Sequence, residues 1–221
     1  MKSIDRRGWL GLAGAALGGG AARAAAQEGA AGAPQFAPAD PRETIRQKYF
    51  PNVALVTHEG RAVRFYDDLI KDKVVVINMM YATCEGVCPR ITSNLVAVQR
   101  LLGDRVGRDI FMYSITLKPQ QDTPEVLRGH ARMHKMGPGW TLLTGAPADV
   151  ETLRRRLGFI DLDPERDRDT TNHIGLVRYG NEARHLWASC PGLMRASSLA
   201  AAIARMSDGG GREASAEGGA R

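Results

Sequence analysis

Cysteine is scarce in this chain of 221 residues, with Cys84, Cys88 and Cys190 the only three. Three cannot build a disulfide framework, so a hydrophobic core has to supply the stability. The length suits one domain of ordinary size. Long basic runs are missing, and no stripe interleaves basic with aromatic residues; both absences argue against nucleic acid as a partner. The apolar stretch near the N-terminus is short and glycine-rich, which argues against a permanent membrane span. No internal repeat is evident. The formal charge is +6, and half of it belongs to residues 1–26, where Lys2, Arg6, Arg7 and Arg23 stand against Asp5. The +3 left to the rest weakly favours an acidic protein partner.

The first 26 residues read as an address. Arg6-Arg7 precede Trp9-Leu10, an Ala/Gly/Leu stretch follows, and Ala22-Arg23-Ala24-Ala25-Ala26 closes the segment. A charged start, a short apolar middle and a small-residue end make a bacterial export signal. The adjacent arginines resemble the twin-arginine type. Cleavage is expected near Ala24–Ala26, which places the protein in the periplasm or cell envelope; an uncleaved anchor is the alternative. Outside the cytoplasm no glutathione pool keeps cysteine pairs reduced.

Residues 27–50 read as a linker leading into the domain, residues 51–207 as the domain, and 208–221, rich in Gly, Ala, Ser and Glu, as a disordered tail. Val53–Thr57 and Arg61–Phe65 flank His58-Glu59-Gly60 and predict an N-terminal β-hairpin. The continuous run Val74–Met80 predicts a central buried strand, and a helix follows from Cys88 to Leu102. Ile110–Thr116 and Trp140–Thr144 read as strands. Pro124–Met136, capped by Thr123, and Ala148–Leu157 read as helices. Ile174–Tyr179 and Glu182–Trp187 predict a second hairpin around Gly180-Asn181, and Leu193–Met206 a closing helix. The alternation fits an α/β fold, a mixed sheet flanked by helices on both faces.

Cys84 and Cys88 stand where the strongest strand gives way to a helix. A thiol at a helix N-terminus is acidified by unpaired N–H groups and the helix dipole. A separation of four residues lets both sulfurs share one side of the first turn. Two such thiolates are soft ligands suited to Cu(I) or zinc. The same sulfurs can instead form a disulfide, so the pair serves metal or electrons. A C-x-x-x-C spacing alone is a weak signal; preceded by a buried strand and followed by Pro89 and a helix it is a stronger one.

At this point a resemblance becomes specific. Asn78-Met79-Met80-Tyr81-Ala82-Thr83-Cys84-Glu85-Gly86-Val87-Cys88-Pro89 resembles the strand and C-x-x-x-C-P loop of the Sco/SenC proteins. Ser114-Ile115-Thr116-Leu117-Lys118-Pro119-Gln120-Gln121-Asp122-Thr123-Pro124 resembles the family's S-x-D-P-x-x-D-T-P stretch, with its first acidic residue replaced and Leu117-Lys118 before Pro119. Asn172-His173-Ile174 matches the position of the family's copper-binding histidine, with Asn172 where aspartate is frequent. The resemblance implies a thioredoxin-like fold and one copper ion, Cu(I) or Cu(II), held by Cys84, Cys88 and His173. It implies that Asn172 and Asp122 steady the ligands from behind. It also implies a metallochaperone rather than an enzyme, delivering copper to the oxidase subunit that carries the dinuclear centre of cytochrome c oxidase. The alternatives are a thiol–disulfide oxidoreductase acting on that subunit's cysteines and a peroxiredoxin-like peroxide reductase.

Four histidines and one cysteine remain. His130 and His134 are four apart, with Met133 and Met136 nearby, and read as a helix face without a third fixed ligand. His58 falls in a turn and His185 on a late strand, neither with a nameable partner. Cys190 follows the last strand as Ser189-Cys190-Pro191, on a loop at the same end of the sheet as the pair. It reads as a small buried hydrophobe, or as an extra thiol for the site.

Overall fold

A computed structural model describes residues 40–168 and 175–208. The expected export signal, Asn172, His173 and all of the tail beyond Asp208 lie outside the described residues. Strand β3 (Val74–Met80) is the centre, with all seven residues buried. Its side chains alternate between two apolar layers. Val74, Val76 and Met80 join one layer, and Val75, Ile77 and Met79 the other. Burial of each such side chain contributes about 1.5–3 kcal/mol, which ties β3 into the middle of the fold.

Around it the described residues form one seven-stranded sheet. It comprises β1 (Ala54–Thr57), β2 (Ala62–Arg64), β4 (Ile110–Thr116), β5 (Trp140–Gly145), β6 (Leu176–Asn181) and β7 (Leu186–Pro191), in the order β2-β1-β5-β4-β3-β6-β7. Strands β3, β4 and β5 are parallel, and β1, β2, β6 and β7 are added antiparallel. The N-terminal hairpin is therefore present as β1 and β2, paired at Leu55 with Val63. Helix α2 (Cys88–Leu102) and α6 (Ala196–Ser207) supply Ile91, Leu95, Leu199 and Ile203 to one layer. Helix α3 (Pro124–Met133) adds Leu127 to it. Helix α4 (Pro147–Arg156) and the wide helical turn Phe65–Ile70 fill the other. The architecture is the expected mixed sheet with helices on both faces.

Several boundaries differ, each for a local reason. The stretch read as linker through residue 50 holds helix α1 (Pro41–Tyr49), opened by the Asp40 side chain accepting from the Arg42 N–H and by Pro41 in the first turn. Buried Glu182 accepts from Arg42 and ties α1 to the sheet. The turn between β6 and β7 is Glu182–Arg184, closed by His185 at φ 55°, and not Gly180-Asn181. Gly180 is demanded by crowding: a Cβ there would sit 2.4 Å from the Leu186 carbonyl oxygen and 2.5 Å from the Trp187 ring. His185 accordingly belongs to the turn rather than to a strand. Helix α3 ends at Met133 because Lys135 takes φ 54°. Helix α6 begins at Ala196, three residues late, because the Gly192 and Met194 carbonyls are taken by the Asn94 side chain. A five-residue helix, α5 (Pro164–Arg168), had no sequence counterpart. No described helix is long and apolar enough to cross a membrane.

Candidate functional site

The parallel strands point their C-terminal ends at one rim of the sheet, and β3 delivers the chain there. Leu117 N–H donates to the Met80 carbonyl at 2.8 Å, extending the β3–β4 pairing by one step. Tyr81–Val87 then turn back into α2, whose first residue is Cys88 and whose second is Pro89. The N-cap residue, Val87, makes no side-chain hydrogen bond to this helix. The Cys88 N–H at the helix start and the Gly86 N–H of the preceding loop donate to the Cys84 sulfur. The Tyr81 hydroxyl and the Cys88 thiol donate to the same sulfur. Burial pushes the Cys84 thiol up, but these four donors outweigh it and hold the group below the ordinary thiol value. Burial and the neighbouring Cys84 push Cys88 up, against a Tyr81 backbone contact. The pair is unsymmetrical, with a thiolate favoured at Cys84 and a thiol at Cys88. Both sulfurs are unbridged and buried, Cys84 at 7 % exposure and Cys88 at 2 %.

A second loop clamps the first. Buried Asp122 accepts the Ala82 N–H at 3.0 Å and the Thr116 hydroxyl at 2.5 Å, both through Oδ2. Its Oδ1 is buried without a hydrogen-bond partner among the described residues. Asp122 N–H and Gln121 N–H both donate to the Lys118 carbonyl, and Lys118 N–H donates to Thr116 Oγ1. This tight turn lays the Lys118 ammonium on the Tyr81 ring, 4.0 Å from its centroid. Among the described residues Asp122, expected to steady the ligands, holds the backbone of the cysteine loop. Tyr81 and Lys118 were visible as letters in two motif blocks, but only the meeting of the two loops shows that they touch.

Gly175, the first described residue after the gap that contains His173, lies against α2. A Cβ there would come 2.8 Å from Ile91 Cδ1 and 3.7 Å from Val87 Cγ2. The residues before the gap are also tied down: Arg154 donates to both carboxylate oxygens of Asp167, and Asp161 N–H donates to Oδ1. Arg154 holds the Asp167 carboxyl well below the usual carboxylate range.

Cys190 lies within β7, not after it. It pairs with Val177, which pairs with Asn78 on β3, so it sits at the predicted end of the sheet. It shares an apolar cluster with Cys84 and Cys88, and burial pushes its thiol up. Among the described residues no three His, Cys, Asp or Glu side chains group closely enough to hold a metal, so Cys190 does not complete a site with the pair. The rings of His130 and His134 lie 4.3 Å apart, again without a third member. His130 is buried and its value is pushed down to about 4, first by burial and then by His134, against the pull of Asp122 and the Ala82 backbone. Among the described residues neither of its ring nitrogens has a well-formed hydrogen bond, the Ala82 backbone being only a loose contact. His58 does have a partner, since its Nδ1 accepts the Leu142 N–H at 3.2 Å.

Known proteins resemble this chain in the same region. The ScoI structure of Bradyrhizobium japonicum with copper bound superposes with a TM-score of 0.57 at 22 % identity, over 69 % of this chain and 96 % of that one. BsSco, described as a member of the Sco family of cytochrome c oxidase assembly proteins with a disulfide switch, gives 0.57 at 19 %, over 71 % and 91 %. A SCO1/SenC family lipoprotein of Bacillus anthracis gives 0.57 at 19 %, over 70 % and 92 %. These likenesses establish the thioredoxin-like fold. No curated protein sequence matches. The SCO1/SenC family model matches residues 41–208, about three quarters of the chain and all of the described domain, and the chain accordingly belongs to the SCO1/SenC family.

Proposed function

We propose that this protein is an exported copper chaperone that binds one copper ion through Cys84, Cys88 and His173 and passes it to the oxidase subunit carrying the dinuclear copper centre. The observation that carries the reading is the cysteine pair itself: two soft, buried sulfurs in mutual hydrogen-bond contact at a helix N-terminus. That donor set fits Cu(I), which favours thiolates at low coordination number. It is the set expected in a family with copper-bound members. Gly175 supports His173 as third ligand, because it packs on Val87 and Ile91 beside Cys88 and two residues of chain span at most about 7 Å. Asp122 would keep the Cys84 loop in place, and the bound ion would supply the soft-ligand exchange by which metal passes between two sites without free release. The twin-arginine pattern supports export, and a lipoprotein relative agrees with a cell-envelope location.

Titration of the reduced protein with Cu(I) and with Cu(II) tests the reading. One-to-one binding is expected, with a thiolate-to-Cu(II) absorption band that His173→Ala abolishes. Failure to bind either ion at stoichiometric protein would sink it.

A second reading keeps the site and changes its use. The unequal thiols favour thiol–disulfide exchange, with Cys84 attacking and Cys88 resolving the mixed disulfide. Turnover of a disulfide substrate by the metal-free protein with a dithiol reductant separates this from metal delivery.

A further inference from the structure

The turn Thr116–Thr123 brings a positive charge to the cysteine loop. Lys118 is half-buried, its backbone is held at both N–H and carbonyl, and its ammonium lies 4.0 Å from the Tyr81 ring centroid. It makes no ion pair with any described carboxylate. The face of an aromatic ring attracts a cation. The hydroxyl of the same Tyr81 donates to Cys84. Tyr81 thus touches both groups, with the Lys118 charge on its ring and the Cys84 sulfur at its hydroxyl. At this place the sequence departs from the family pattern, with a lysine before Pro119 where an acidic residue is usual.

We propose that Lys118, stacked on Tyr81, is the countercharge of the loaded cysteine pair and biases it toward Cu(I). The inference rests on the copper reading above. Two thiolates around Cu(I) carry a net charge of about −1, and the same two around Cu(II) are neutral. A fixed cation beside a buried site stabilises the negative state and leaves the neutral one nearly unchanged, and burial limits screening by salt. Arg90, in the first turn of α2, is exposed to water and its charge is correspondingly screened.

The test compares the reduced full-length wild type with Lys118→Gln, Lys118→Arg and Arg90→Gln. Cu(I) affinity is measured by competition with a chromophoric chelator, Cu(II) affinity by titration, and folding of each variant by thermal melting. Lys118→Gln is expected to melt like the wild type and to lower the ratio of Cu(I) to Cu(II) affinity about three- to tenfold. Lys118→Arg is expected to keep the wild-type ratio, since it keeps the charge and stacks on rings. An unchanged Cu(I)-to-Cu(II) ratio in Lys118→Gln would overturn the inference, as would an equal loss for both ions or an equal loss in Arg90→Gln. A wild type that binds no copper would remove the copper reading, a result distinct from a wild type that binds and a Lys118 variant that does not differ.

Discussion

Asp122 accepts the backbone N–H of Ala82 at 3.0 Å, two positions before Cys84, so the cysteine loop is held by a carboxylate from another part of the sheet rim. The same oxygen accepts the Thr116 hydroxyl. Asp122→Ala leaves a part-buried N–H and a buried hydroxyl unpaired, at about 1–3 kcal/mol for the buried group and less for the other. A loss of about 2–4 kcal/mol is expected in urea unfolding, with weaker copper binding. Asp122→Asn keeps an acceptor oxygen and should lose about half as much. Equal stability of Asp122→Ala and wild type would show that the clamp contributes nothing.

The unequal thiols should be visible to an alkylating reagent. Cys84 lies below the ordinary thiol value, and Cys88 and Cys190 lie above it. At pH 7, iodoacetamide should modify Cys84 at least about tenfold faster than the other two. Peptide mass spectrometry at short times reads the order, and Cys88 reacting first would contradict the donor arrangement.

His130 makes stability depend on pH on the acid side. Its folded value of about 4 lies under the ordinary 6.5 of the unfolded chain. Above pH 6.5 the ring is neutral in both states and its contribution is complete. As pH falls from 6.5 toward 4, the unfolded chain takes up a proton that the buried ring refuses, and stability drops by on the order of 2–3 kcal/mol. The groups facing it are His134 and Asp122. His130→Gln should flatten this limb in denaturation midpoints measured between pH 7 and 4; an equally steep limb would assign the acid sensitivity elsewhere.

Glu182 is buried at the turn between β6 and β7 and receives Arg42, the Tyr66 hydroxyl and the Asp72 N–H. Burial raises its carboxyl, but these donors prevail and hold it below the usual range. Its contribution is therefore complete above about pH 4.5 and is lost as pH falls through the lower folded value. Glu182→Ala strands three donors and should cost about 2–4 kcal/mol. Hydrogen exchange should then show α1 losing protection first, because Arg42 is its tie to the sheet. Unchanged protection of Pro41–Tyr49 would count against that tie.

What the chain determines by itself is whatever short-range pattern encodes. The β-branched run Val74–Met80 is a strand because alternate side chains can be buried on two faces, and the helix Cys88–Leu102 follows from Pro89 and its apolar spacing. The cysteine pair was legible for the same reason, since four residues is one helical turn. Helix α1 was missed because its cohesion lies in Asp40 and in Arg42 reaching Glu182, 140 residues away. Gly180 reads as a turn residue in one dimension, and only the crossing of the Trp187 ring reveals why no side chain fits there. The inequality of Cys84 and Cys88 was likewise invisible in the spacing. It arises where burial acts against hydrogen bonds from Tyr81, Gly86 and the helix start. The stack of Lys118 on Tyr81 joins residues 37 positions apart, and only the parallel pairing of β3 with β4 brings their loops to one rim. Local periodicity thus chooses the elements and the sulfur pair, whereas the charge and hydrogen bonds that surround those sulfurs come from long-range packing.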